Sequence, residues 1–136
     1  MTAGVKFHTF VKDKAHKVHN FSSDQLKIAL TNTAPSAASN AVLADITEIS
    51  YTYCSSRNLT TSSSGQTSGT YSCVVEDLTL TASGTVGPFR YIVIYNDTPT
   101  SPADPLIQYY DYGSARTLEN GETFQCNFGS SLFTDS

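Results

Sequence analysis

The stretch GPFRYIVIYND, Gly87 to Asp97, decides the fold. It opens on a Gly-Pro break, runs from Phe89 through Tyr95, and stops at Asn96-Asp97. Strands buried on one face alternate apolar and polar residues, whereas strands buried on both faces do not. Here Phe89, Tyr91, Val93 and Tyr95 fall on one face and Ile92 and Ile94 on the other, so both are apolar. The stretch reads as the middle strand of a sheet. Its second face is covered either by the chain's own N-terminal segment or by another subunit. Arg90, at the strand's start, reads as a partner in a structural ion pair.

The flanking text is β as well. Leu26, Ile28 and Leu30 alternate with polar or small residues, the period of a half-buried strand. ITEISYTYC, residues 46–54, alternates in the same way. NLTTSSSGQTSGTYSCVVEDL reads as strand, flexible Ser/Gly centre and strand, with Tyr71, Cys73 and Val75 on one face. Leu78, Leu80 and Ala82 continue the alternation. NDTPTSPADP is a Pro-rich loop, and LIQYYDYG is a strand ended by Gly113. Asn120-Gly121 is the strongest hairpin signal, ahead of Phe124, Cys126 and Phe128. Short strands with turn signals every 8–12 residues or so predict an all-β domain, a β-sandwich or jelly-roll-like fold. AVLADI predicts one helical turn. KFHTFVKDKAHKVHNF fits either a short amphipathic helix or an extended arm with aromatic anchors. The chain divides as an N-terminal arm, residues 1–24, and a β-sandwich domain, residues 25–136. Deleting the arm is expected to leave the β-domain folded.

The 136 residues suit one domain with a real core, in which Tyr and Phe supply the large volumes because there is no Trp. The formal net charge of −4 argues against a nucleic-acid partner. That value hides an asymmetry. Residues 1–27 hold five lysines against two acids, and the rest holds three arginines against ten acids. A basic segment before an acidic body suits contact with an acidic partner surface. No run approaches the roughly 18 apolar residues of a membrane-spanning helix, so no membrane partner is expected, and no secretory signal is read at the N-terminus. Cys54, Cys73 and Cys126 are odd in number and lie in strand-like runs, so buried free thiols are the expected state.

No catalytic set emerges. Glu76 and Asp77 are adjacent and point to opposite faces of a strand, and Asp97, Asp104 and Asp111 flank a loop. His16 and His19 share a helical spacing, but in a Lys-rich segment without an acidic partner they read as solvated or interface-lining. There is no Gly-x-Ser-x-Gly elbow and no Gly-rich phosphate loop. No cofactor, metal site or enzymatic activity is expected. Tyr109, Tyr110 and Tyr112 suggest a stacking platform for sugars or bases, or, more often for a Tyr-rich strand, one that is half core and half interface.

Several phrases together carry a resemblance: FHTFVKDKAHKVHNF, DQLKIALTNTAP, LADITEI, TASGTVGPFRYIVIYND, DPLIQYYDYG and LENGETFQCNFG. In this order they resemble a family of small tailed-phage virion structural proteins, along nearly the whole chain. The cysteines are not part of that pattern. The resemblance implies a virion component on the outer surface of the head. The favoured role is a capsid decoration (cement) protein bound to the major capsid protein. The alternatives are a tail, neck or fibre-adaptor protein and, from another class, a carbohydrate-binding module. It also implies a homo-oligomer, a trimer before a dimer. The residues expected at capsid or subunit interfaces are Phe7, Phe10, Lys12, Lys14, Lys17, Phe21, Tyr109, Tyr110 and Tyr112.

Overall fold

The computed structural model describes residues 4–135. In chain order the elements are β1 (Val5–Lys6), α1 (His8–Ala15), β2 (Leu26–Thr31), β3 (Thr61–Thr67), β4 (Thr70–Val75), β5 (Leu78–Thr81), β6 (Val86–Asn96), β7 (Leu106–Leu118), β8 (Thr123–Cys126) and β9 (Phe133–Asp135). A single 3-10 turn, Leu43–Asp45, falls where AVLADI predicts one. The fold is all-β, with α1 as its only α-helix among the described residues.

The opening stretch is β6, and it is a middle strand. The largest sheet has the order β1-β7-β6-β2, all antiparallel. β3-β4-β9 and β5-β8 form the smaller sheets. One core joins them: Leu26, Ile28 and Leu30 of β2 and Ile92 and Ile94 of β6 pack with Cys73 and Val75 of β4, Leu80 of β5, and Phe124 and Cys126 of β8. This is a sandwich-like arrangement. Burying each such Leu, Ile or Phe contributes about 1.5–3 kcal/mol relative to leaving it in water.

The second face of β6 is covered by this chain. Val93 and Tyr95 pack with Phe7, Ala29 and Leu106, and Leu43 and Ile46 close the cluster. The 41–46 segment is held there by Leu43 N donating to the Asp104 carbonyl at 2.9 Å and Leu106 N donating to the Ala41 carbonyl at 3.0 Å. One residue changes side from the sequence expectation. The register shifts between Phe89 and Tyr91, so Phe89 joins Ile92 and Ile94 in the main core. Strand alternation fails wherever a bulge inserts a residue.

Bulges also shape β7. Tyr91 pairs with Asp111 and Phe89 with Arg116, so residues 112–115 bulge outward opposite Arg90 alone. The strand does not end at Gly113, which takes φ +99° inside the bulge. Arg90 forks onto Asp111 below it, Nε to Oδ1 at 2.8 Å and Nη2 to Oδ2 at 3.1 Å. That is the structural ion pair expected of Arg90.

Three local expectations are corrected. Residues 46–54 do not form a strand: the edge beside Leu30 is taken by the Tyr51 hydroxyl, which accepts from Leu30 N at 2.9 Å, and by Ile49 N on the Leu30 carbonyl. The Ser/Gly centre is not a loop, because β3 runs through Ser62–Gly65 and turns only at Ser68-Gly69. Asn120-Gly121 does make a turn, with Glu122 N donating to the Glu119 carbonyl, but it makes no hairpin. β7 stays with β6 while β8 crosses to β5, so the turn links two sheets.

The N-terminal segment contributes to both cores. Phe7 is fully buried on the second face and Phe10 is 1% exposed in the main core. An arm that can be deleted with the β-domain left intact is therefore not what the chain builds.

Candidate interaction site

α1 divides its residues by helical spacing. Phe10 turns inward, where its ring meets Phe21, Phe133 and His19 at centroid distances of 5.3–5.9 Å. His8, Lys12 and His16 recur every four residues and so share one side. All three are exposed, as is Lys17 just beyond. Lys17 takes φ +65° after His16 caps the helix, which swings it clear of the helical path. Val11 is half exposed in the same helix, and Lys6 is exposed on β1. The result is a cationic face on a short helix, pinned by buried aromatics on either side of its first turn.

Beside this face lies a recess of about 450 Å³ between Thr9, Lys12, Asp13 and His16 of the helical segment and Val42 and Pro102 of the facing loops. Asp13 is 3% exposed, and its Oδ2 has no hydrogen-bond partner among the described residues. Below the helix, His19 stacks on Phe21 with the planes 9° apart. Burial pushes the His19 imidazole below its ordinary value, against the opposing pull of the Asp13 and Asp24 carboxylates. His19 Nδ1 is engaged by Asn96 at 3.0 Å. Among the described residues no three His, Cys, Asp or Glu side chains gather as metal ligands.

The residues expected at an interface separate into groups. Lys12 and Lys17 are exposed and available. Lys14 is committed within the chain, with Nζ 3.0 Å from Asp135 Oδ2 and 5.1 Å from the Phe10 ring centroid. Phe7 and Phe10 are internal anchors, and Phe21 is half-buried against Phe10 and Phe133, so the aromatic half of that set holds the segment rather than meeting a partner. The tyrosines are not a stacking platform. Successive strand residues point to opposite faces. Tyr109 lies against Phe7 and Tyr91 on the second face. Tyr110 is buried in the main core and accepts from Gln108 Nε2 at 2.7 Å. Tyr112 sits in the bulge, 40% exposed, with its ring on Phe124 at 5.0 Å. Lys6 and His8 join the exposed basic set, and the i, i+4, i+8 recurrence of His8, Lys12 and His16 is the sequence signal that marks their shared side.

All three cysteines are free: Cys73 and Cys126 are buried and Cys54 half-buried. Burial pushes the Cys126 thiol up to about 12.

No helix among the described residues is long and apolar enough to cross a membrane. No protein-family model, curated protein or solved structure matches the chain.

Proposed function

We propose that this chain is a virion structural protein, a capsid decoration protein that binds the major capsid protein lattice on the outer surface of the head. The observation that carries the reading is the exposed basic face at α1, with His8 and Lys12 on the helix, His16 at its cap and Lys17 just beyond, on a segment fixed by Phe7 and Phe10. A binding surface already ordered in the free protein loses little conformational entropy on attachment. Its charge suits an acidic lattice, and repetition of the contact over a symmetric oligomer multiplies a weak attachment by avidity. The family resemblance of the sequence supports the same reading. The chain's role is contact, not catalysis, and it needs no cofactor and no nucleic acid.

The test is attachment to purified heads that lack the protein, followed by co-sedimentation. Wild-type protein binds, and binding weakens as salt rises through the range in which exposed charges are screened. Lys12→Glu with Lys17→Glu abolishes it while leaving the fold unchanged. Quantitative mass spectrometry of virions then gives a copy number comparable with that of the major capsid protein. A handful of copies per particle places the protein in the tail, neck or fibre instead, and a glycan-array signal turns the reading to carbohydrate binding.

A further inference from the structure

β3 and β4 form a hairpin closed by Ser68 and Gly69, both at positive φ, 52° and 84°. In a two-residue turn of this kind the flanking pair exchanges hydrogen bonds. Thr67–Thr70, Gly65–Ser72 and Ser63–Val74 are then the bonded pairs, and the N–H and C=O groups of Ser64 and Gln66 point the other way. Among the described residues no backbone hydrogen bond reaches that outer side.

Most other edges are closed or short. β9, at the opposite edge of the same sheet, lies against α1 through Phe10–Phe133 and Lys14–Asp135. The outer edge of β2 is paired by residues 57–59, with Ile28 N on the Arg57 carbonyl and Leu59 N on the Leu26 carbonyl. β5 is covered at Thr81 by Ser55. β1 is two residues long and carries Lys6. β8 is four residues long and follows Glu119 and Glu122. β3 is seven residues long, with one bulge near its start, no proline and no charge. No charged residue occurs anywhere from Asn58 to Val75. Natural edge strands are normally blunted by charge, proline or brevity, and this one is left open over Ser63–Thr67.

We propose that the β3 edge is a strand-addition site whose occupant is β3 of a second copy. The two strands run antiparallel about a two-fold axis and join two three-stranded sheets into one. Two features select a second copy. The edge presents the same donor and acceptor pattern to its symmetry mate, which is the self-complementarity an isologous contact requires. The chain carries a net charge of −4, and the Asn58–Val75 segment is where two copies meet without opposing like charges. The proposal concerns the isolated protein and stands apart from the capsid reading. It gives two-fold symmetry in place of the three-fold order that the resemblance favours.

Sedimentation velocity and native mass spectrometry of the full chain, over a range of concentrations, test it together with hydrogen exchange. The expected result is a dimer in which the Ser64 and Gln66 amides gain protection on association. Gln66→Pro removes an outward N–H and leaves the β3–β4 ladder in place. Ser63→Lys puts a charge on the exposed side of the same edge. Each variant raises the dimer dissociation constant by about tenfold or more, while the thermal midpoint of the dissociated chain, read at high dilution, stays unchanged. Should Gln66→Pro fail to fold, Ser63→Lys alone decides. A wild-type chain that stays monomeric overturns the proposal. So does a trimer, or a dimer that the variants leave intact.

Discussion

Asn96 Nδ2 lies 3.0 Å from His19 Nδ1 and donates to Asp24 Oδ2 at 2.7 Å. The Asn96 side-chain oxygen accepts from Thr98 N at 3.1 Å, which fixes the amide's orientation. An amide nitrogen only donates, so His19 Nδ1 must accept and the ring is held neutral with its proton on Nε2. Asn96 is fully buried at the end of β6, and His19 lies just past the His16 cap of α1, so this contact ties the helical segment to the central strand.

Acid should loosen that tie. The folded-state pKa of His19 is lowered by burial from an ordinary value of 6.5. The unfolded chain therefore takes up the proton first as pH falls. The stability contributed by neutral His19 is complete above about 6.5 and is lost as pH drops through that value toward the folded one. The facing charges are Asp13 from α1 and Asp24 from the following loop, which oppose the shift but do not reverse it. The urea midpoint should fall as pH drops from 7.5 to 5.5, the unfolding free energy changing by at most about 1.4 kcal/mol per pH unit. His19→Asn, which offers an acceptor near the place of Nδ1, should flatten that dependence. A wild-type midpoint constant over this window would refute the assignment.

The helical segment should also prove indispensable to folding. Phe10→Ala removes a ring buried among Phe21, Phe133 and His19, and should cost about 3–5 kcal/mol in chemical denaturation. Removing residues 1–21 opens both hydrophobic clusters and should yield a chain without a cooperative thermal transition. Val11→Ala, in the same helix but half exposed, should cost under about 1 kcal/mol. Equal losses at Val11 and Phe10 would show that the helix is held by something other than its buried face.

Much of this arrangement was legible in the chain, for definable reasons. Two-sided apolarity from Phe89 to Tyr95 reported a covered central strand because burial on both faces is a property of composition alone. What covers the second face was not legible. Phe7, Leu43 and Ile46 are isolated apolar residues whose meeting depends on the path of the intervening loops. The division of Tyr109 from Tyr110 follows from strand period, but the outward turn of Tyr112 depends on a bulge that no local pattern announces. Asn96 read as a strand terminator, yet it is a buried polar hub, because its partners His19 and Asp24 lie more than seventy positions away.

Gly87 should tolerate no side chain. It takes φ +114°, and a Cβ there would stand 2.7 Å from the Arg116 carbonyl oxygen on β7. Backbone cannot move aside as a flexible side chain can, and the conformation itself is strained for any L-residue with a Cβ. Gly87→Ala should therefore destabilise by about 1–3 kcal/mol. Gly65→Ala, whose added carbon meets nothing within 4 Å, should be far milder. Thermal melts of the two variants side by side make the comparison, and near-equal midpoints would contradict it.

The thiols should report burial in sequence. Cys126 is fully buried and its thiol is pushed up to about 12, while burial also raises Cys73 and the half-buried Cys54. Because the thiolate is the reactive form, a disulfide reagent at pH 8 should find little nucleophile in the native protein. Cys54, the only one of the three with partial exposure, should react first and slowly. Cys73 and Cys126 should react only when the fold opens, so their labelling rates should rise with denaturant alongside the loss of near-ultraviolet circular dichroism. Prompt native labelling of Cys126 would mean that the β5–β8 side of the core opens far below the global transition.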